Sequence, residues 1–220
     1  MRCTRAGDAD RAALRALWKQ AFGDDDETID AFFDTLFPLC DAFAAREGGA
    51  LCAMLFCLPQ TLVRDGREER AAYIYAVATD ERYRRRGACR ALLQYAEKKL
   101  KSRGVVLLML AALTPELGAM YEKLGFTGAS TKFSPQRLPA PQGRAEVVNA
   151  VGYAGLRETL LGEAAHIRYD KPTLEYAGRE NTFYLLDAPG TLGCAAVRRL
   201  PDGRLRADEL LPDARALPAL

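Results

Sequence analysis

Three consecutive arginines, Arg84, Arg85 and Arg86, stand directly before Gly87 in the stretch YRRRGACRALLQYAEKKL, which runs from Tyr83 to Leu100. Guanidinium groups donate paired, charge-assisted hydrogen bonds to phosphate and carboxylate oxygens. Beyond Gly87 the apolar residues Leu92, Leu93, Ala96 and Leu100 recur at helical spacing, so the arginines sit at the first turn of a helix. A helix start exposes unpaired N–H groups and a partial positive charge, and a glycine there lets an anion approach the backbone without a Cβ in the way. Residue types and order together describe an anion site; the alternative is a basic loop facing solvent. Neither GxxxxGK(S/T) nor GxGxxG after a first strand occurs, which excludes the common nucleotide-binding motifs.

Other reactive residues are fewer. Cys89 lies near the same helix start, where a thiol acidifies, and so opens a covalent acyl-cysteine route; no histidine stands near to serve it, and a small packing residue is the simpler reading. His166 is the one histidine, which argues against zinc chemistry, and no metal site is expected. Tyr73 and Tyr75 alternate along an apolar strand and read as core residues or as acceptor contacts, while Glu69 at the strand's entry reads as solvated. No general base is assigned. The acidic run Asp24, Asp25, Asp26 and Glu27 is read first as capping charge for a helix and second as an attractor for a cationic amine.

The elements that must position these residues follow from hydrophobic period. Asp8 to Phe22 places Leu14, Leu17, Trp18, Ala21 and Phe22 on one helical face; Ile29, Phe32, Phe33, Leu36 and Phe37 repeat the spacing up to Pro38. From Asp41 to Thr79, DAFAARE, ALCAMLFCLPQTLV and RAAYIYAVAT predict an antiparallel meander joined by a GG turn and by RDGRE. The arginine turn and its helix come next, and then VVLLMLAAL from Val105, a continuous apolar strand of the kind buried on both faces. In TPELGAMYEKLGF, Thr114 caps a short helix with Pro115 at its first position and Gly125 at its end.

Composition sets the outer limits. The 220 residues carry 31 Lys+Arg against 29 Asp+Glu, a net charge of +2, so no global pull toward nucleic acid or membrane exists, and neither is expected as a partner. The arginine run also lacks the aromatic interleaving of a nucleic-acid surface. Six cysteines without CxxC spacing, mostly within apolar runs, read as buried thiols of a reducing compartment. No signal-peptide pattern opens the chain and no apolar run approaches the ~20 residues of a membrane span, so a cytoplasmic protein is expected.

The segment VATDERYRRRGACRALL resembles the acyl-CoA-binding motif of the GNAT superfamily of N-acetyltransferases, Q/R-x-x-G-x-G/A: Arg84 and Gly87 match, and Cys89 replaces the final Gly or Ala. The apolar strand after it and MYEKLGF are similar to the superfamily's next elements, so the resemblance extends over residues 1 to 133. It implies an acetyl-CoA-dependent N-acetyltransferase acting by direct transfer in a ternary complex on a small-molecule or peptide amine. By this resemblance Val77, Ala78 and Thr79 offer main-chain groups to the pantetheine, and Arg84, Arg85, Arg86, Gly87, Ala88, Cys89 and Arg90 cradle the pyrophosphate. It also makes Tyr121 the acid that protonates the departing sulfur. The alternative is a non-catalytic acyl-CoA-binding or scaffold protein with the same fold.

The implied fold is α/β (α+β): a mixed, mostly antiparallel GNAT-like sheet flanked by helices over residues 1–143, with a smaller C-terminal lobe over 144–220. That lobe repeats the opening order of strand, helix, helix and three strands, and its hairpins DAPGTLGCAAV and LPDGRL answer REGGALCAMLF and VRDGRE. It is read as a truncated GNAT-like repeat or as an ordinary β-rich extension. KFSPQRLPAPQGR reads as the connection between the lobes. Neither the acceptor nor the oligomeric state follows from the sequence.

Overall fold

The computed structural model describes residues 1–128, 143–188 and 190–212. Most of the expected connection and the terminal residues 213–220 lie outside the described residues. Contacts divide the chain into two compact units, Met1–Leu62 with Glu68–Ser130, and Val63–Arg67 with Thr131–Leu220.

The first unit opens with β1 (Arg2–Ala6) and two helices, α1 (Arg11–Phe22) and α2 (Asp26–Thr35). The meander β2 (Asp41–Glu47), β3 (Ala50–Arg64) and β4 (Arg67–Thr79) follows, then α3 (Ala88–Lys101), β5 (Val105–Met109) and α4 (Pro115–Glu122). The strands lie in the order β1-β2-β3-β4-β5, with β1/β2 and β2/β3 antiparallel and β4/β5 parallel. Asp65 and Gly66, both at positive φ, close the β3–β4 hairpin, as an Asp-Gly pair does in a two-residue turn.

Side-chain alternation along β3 explains the layering. Ala53, Leu55 and Cys57 join Phe43 and Ala45 of β2 against Ala88, Leu92, Leu93, Ala96 and Leu100 of α3. Phe56 points the other way, into rings from α1 and α2: Phe32 at 4.9 Å and Trp18 at 5.8 Å between centroids. The expected aromatic stripe is therefore core, with Leu14, Trp18, Ile29, Phe32 and Phe33 almost wholly buried. Phe22 departs from the helical-face expectation and is 40% exposed, because it ends α1 where Gly23 turns the chain away. VVLLMLAAL departs too. Val106 is 58% exposed, since β5 is the last strand in the sheet order among the described residues; the strand buried on both faces is β3.

The second unit contains β6 (Arg144–Val148), α5 (Ala150–Leu161), the short β7 (His166–Arg168), α6 (Lys171–Ala177), and β8 (Asn181–Ala188), β9 (Thr191–Arg199) and β10 (Leu205–Pro212). Its four-stranded antiparallel sheet has the order β6-β8-β9-β10, which repeats the neighbour order β1-β2-β3-β4 of the first unit. A core of Tyr153, Leu174, Phe183, Cys194 and Ala196 joins the helices to the sheet.

Candidate functional site

β4 pairs with β5 only as far as Tyr73 opposite Met109, whereas β4 itself continues to Thr79. The two strands therefore part beyond Tyr73 and leave main-chain groups of β4 without a β5 partner. Within β4, Ala72 and Ile74 face the α3 layer, but the next residue on that face is Val77. The extra residue is accommodated at Ala76, whose φ of +48° is left-handed. A non-glycine residue held there costs on the order of 1 kcal/mol and re-aims the peptide groups around it, which include those of Val77, Ala78 and Thr79.

Asp80 closes the strand. Its N–H donates to the Cys52 carbonyl at 2.9 Å, and its buried carboxylate accepts from the Arg82 N–H at 2.9 Å and from the Arg82 guanidinium at 2.7 and 3.1 Å. Those bonds from Arg82 hold the carboxyl down at about 2, against the opposing effect of burial. Asp80 thus caps the 3-10 turn Glu81–Tyr83 and fixes where the arginine run begins.

The run then makes an open turn. Arg84 folds back, its Nε donating to the Thr79 carbonyl at 3.3 Å and its guanidinium lying 3.5 Å from Glu81. Arg86 sits over the Tyr83 ring at 5.6 Å and 4.0 Å from Glu47. Arg85 and Gly87 both adopt positive φ, and an added Cβ on Gly87 would meet nothing within 4 Å. α3 starts there without a side-chain cap. The first bond of the helix runs from the Ala91 N–H to Gly87 O at 3.0 Å, so the N–H groups from Gly87 to Arg90 have no intrahelical acceptor. Arg85, Arg86 and Arg90 are exposed beside them. A ring of main-chain donors, a helix dipole and guanidinium groups around an open glycine fits a pyrophosphate by charge and by access.

Tyr121 lies on α4, whose start is fixed by Thr114 accepting from the Leu117 N–H at 3.3 Å and by Pro115 at the first position. The ring is buried in the α3 layer and meets Phe126 edge-on at 5.8 Å. Burial, with Cys89 and Tyr73 as electrostatic neighbours, pushes the phenol up to about 12, so it is protonated and able to donate. The structure thereby brings the α4 tyrosine and the second residue of α3 into one cluster.

The remaining candidates resolve differently. Burial raises the Cys89 thiol, as it raises all six free cysteines, so the thiolate needed for an acyl-cysteine route is disfavoured. The acidic run is structural: Asp24 accepts from the Trp18 indole at 2.8 Å, Asp25 caps α2 through the Thr28 N–H at 2.7 Å, and Asp26 pairs with Lys19 at 2.8 Å. Tyr75 packs against Trp18 and Phe32 at 5.7 and 5.5 Å, whereas Tyr73 is half-buried with its phenol against the Ala111 main chain. His166 belongs to the second unit, where its ring meets Glu158 at 3.2 Å and the Ala164 carbonyl at 2.7 Å. Sequence reading missed Ala76, for which an alanine among strand formers gives no signal. It also missed Asp80, which the order Thr-Asp before a turn does signal.

A sequence model of the acetyltransferase (GNAT) domain matches residues 2–129, more than half of the chain. No curated protein sequence matches. Among solved structures, a probable N-acyltransferase from Enterococcus faecalis V583 superposes with a TM-score of 0.69 at 16% identity, covering 97% of this chain and 59% of its own. A GCN5-related N-acetyltransferase from Anabaena variabilis gives 0.70 at 16% identity with the same coverage. A putative acetyltransferase from Agrobacterium tumefaciens gives 0.51 at 27% identity, with 62% of this chain covering all of it. The chain thus spans under two thirds of the length of the first two structures and the whole of the third.

Proposed function

The chain belongs to the GNAT acetyltransferase family, and from that premise we propose that it moves an acetyl group from acetyl-CoA to a primary amine by direct transfer in a ternary complex. The observation that carries this reading is the turn Arg84–Arg90, with the four first-turn N–H groups of α3 from the left-handed Gly87 to Arg90, which follows the end of β4 that β5 does not pair. In this reading those N–H groups, with Arg85, Arg86 and Arg90 around them, hold the pyrophosphate, while Arg84 and Gly87 shape the turn. The edge of β4 at Val77, Ala78 and Thr79, beyond the reach of β5, holds the pantetheine as an added strand would. Bound there, acetyl-CoA supplies an activated thioester. Tyr121 then donates its proton to the sulfur as the acetyl group leaves, which a phenol kept neutral by burial can do across the physiological range.

The reading is tested by calorimetry with acetyl-CoA. The wild-type chain is expected to bind. Gly87→Glu, which adds bulk and negative charge at the pyrophosphate, is expected to weaken binding by at least about tenfold, a cost of some 1.4 kcal/mol. Gly87→Asn tolerates the left-handed conformation and is expected to bind far better than Gly87→Glu. Equal affinities for all three proteins would remove the site. A second reading, an acyl-CoA-binding protein without catalysis, draws on the lack of any carboxylate among the electrostatic neighbours of Tyr121. It requires acetyl-CoA binding with no thiol release in the presence of any amine.

A further inference from the structure

We propose that the second unit carries a binding site of its own, a cleft between α6 and the paired strands β6 and β8 that takes a primary ammonium group on a compact apolar body.

The cleft arises where the second unit departs from the first. Ala6 ends β1 opposite Ala42 of β2, and Val148 ends β6 opposite Phe183 of β8, so the two registers equate Ala42 with Phe183. Counting back without a gap sets Leu174 at the place of Phe33 and Gly178 at that of Phe37. Phe37 is buried, with its ring 4.9 Å from Phe33 and 6.0 Å from Phe56. Ala42 pairs with Phe56 and Phe183 with Ala196, so an alanine stands where the first unit has a further ring. Phe183 returns one ring in exchange for Ala42, and the other is not replaced. An open cavity of about 340 Å³ remains, walled by Val148, Ala150, Leu174, Gly178 and Phe183. Small-molecule sites occupy about 300–1,000 Å³.

Two polar side chains of the lining set what enters. Asn181 donates from Nδ2 to the Ala177 carbonyl at 3.2 Å, while its buried Oδ1 accepts from no described residue. A buried acceptor without a donor is unfavourable, and folded proteins retain few of them. Because Asn181 lines the cleft, a small turn of its amide presents Oδ1 to a donor there. Glu175 is the one charged side chain of the lining among the described residues. Its carboxylate meets Lys171 at 3.2 Å, yet both side chains are more than half exposed, and so weak a pair yields to a competing cation. An ammonium group donates to the carboxylate and to the amide oxygen together, while its apolar body covers Leu174 and Phe183. A neutral donor forgoes the charge-assisted bond, and an anion meets like charge at Glu175.

The test is an NMR titration of the whole isotope-labelled chain, without acetyl-CoA, using phenethylamine, phenethyl alcohol and hydrocinnamate. The amine is expected to shift the amide signals of Leu174, Gly178 and Asn181 saturably. It is expected to bind about fivefold more tightly than the alcohol, the difference one exposed charge pair makes, with hydrocinnamate weakest. Glu175→Gln is expected to bring the amine down to the affinity of the alcohol. Ala150→Phe, whose ring enters the cleft, is expected to abolish binding of both; if that variant does not fold, Glu175→Gln, at an exposed position, decides alone. Shifts confined to other residues, equal affinity for amine and alcohol, preference for hydrocinnamate, or undiminished amine binding by Glu175→Gln would each overturn the site. None of these outcomes bears on acetyl transfer, since the titration reads the second unit in the absence of acetyl-CoA.

Discussion

Tyr121 shows how placement alone keeps a phenol protonated. A free phenol ionises near pH 10, and burial in the α3 layer lifts this one to about 12. The sign is that of an acid stabilised in its protonated form, so its capacity to donate persists as pH rises and is lost only near that value. An alkaline loss of activity below it therefore belongs to another group. Tyr121→Phe keeps the ring and its contact with Phe126 while removing the proton. Turnover is expected to fall by roughly 10²-fold with acetyl-CoA affinity unchanged, read from steady-state kinetics beside calorimetry. Undiminished turnover would reduce Tyr121 to a packing residue.

Among the elements, α5 and β10 are joined by a charged network that the first unit does not duplicate among its described residues. Glu209 accepts from the Tyr153 hydroxyl and from Arg157 Nε at 3.0 and 3.1 Å. Arg157, 5% exposed, also donates to the Ile167 carbonyl at 2.6 Å and lies 4.0 Å from the centre of the Tyr169 ring. Removing one partner of a buried pair strands the other, at a cost of about 3 kcal/mol or more. Glu209→Ala is expected to lower the unfolding free energy of the second unit, read from urea denaturation, by that amount. Adding Arg157→Met, which removes the stranded charge, is expected to restore much of it. A Glu209→Ala loss below about 0.5 kcal/mol would show the network to be energetically idle.

At the scale of the whole molecule, the chain has two sheets of the same strand order and one arginine-glycine turn. β4 leads into Arg84-Arg85-Arg86-Gly87, while after residue 143 no Arg or Gln stands three residues before a glycine. The 220-residue chain is accordingly expected to bind one acetyl-CoA, measured as the stoichiometry of a calorimetric titration; two equivalent sites would contradict the assignment of a single turn. No helix among the described residues is long and apolar enough to cross a membrane.

Local rules determined much of this by sequence alone. The helix faces of α2 and α3, the caps Asp25 and Thr114, the Asp-Gly hairpin and the arginine-glycine turn are each written in a few adjacent residues, because capping, period and turn chemistry act over one or two turns of chain. The order of elements in the second unit, strand, helix, helix and three strands, was legible as well, apart from the short β7 between the helices. Other features were decided in three dimensions. The left-handed Ala76 is imposed by neighbours on both sides of β4, and the exposure of Val106 depends on which strand ends the sheet order. The meeting of Tyr121 and Cys89 brings together residues from α4 and α3 that no local pattern connects. Their protonation states follow from the burial that meeting creates, and desolvation is a property of packed surroundings that no single segment carries.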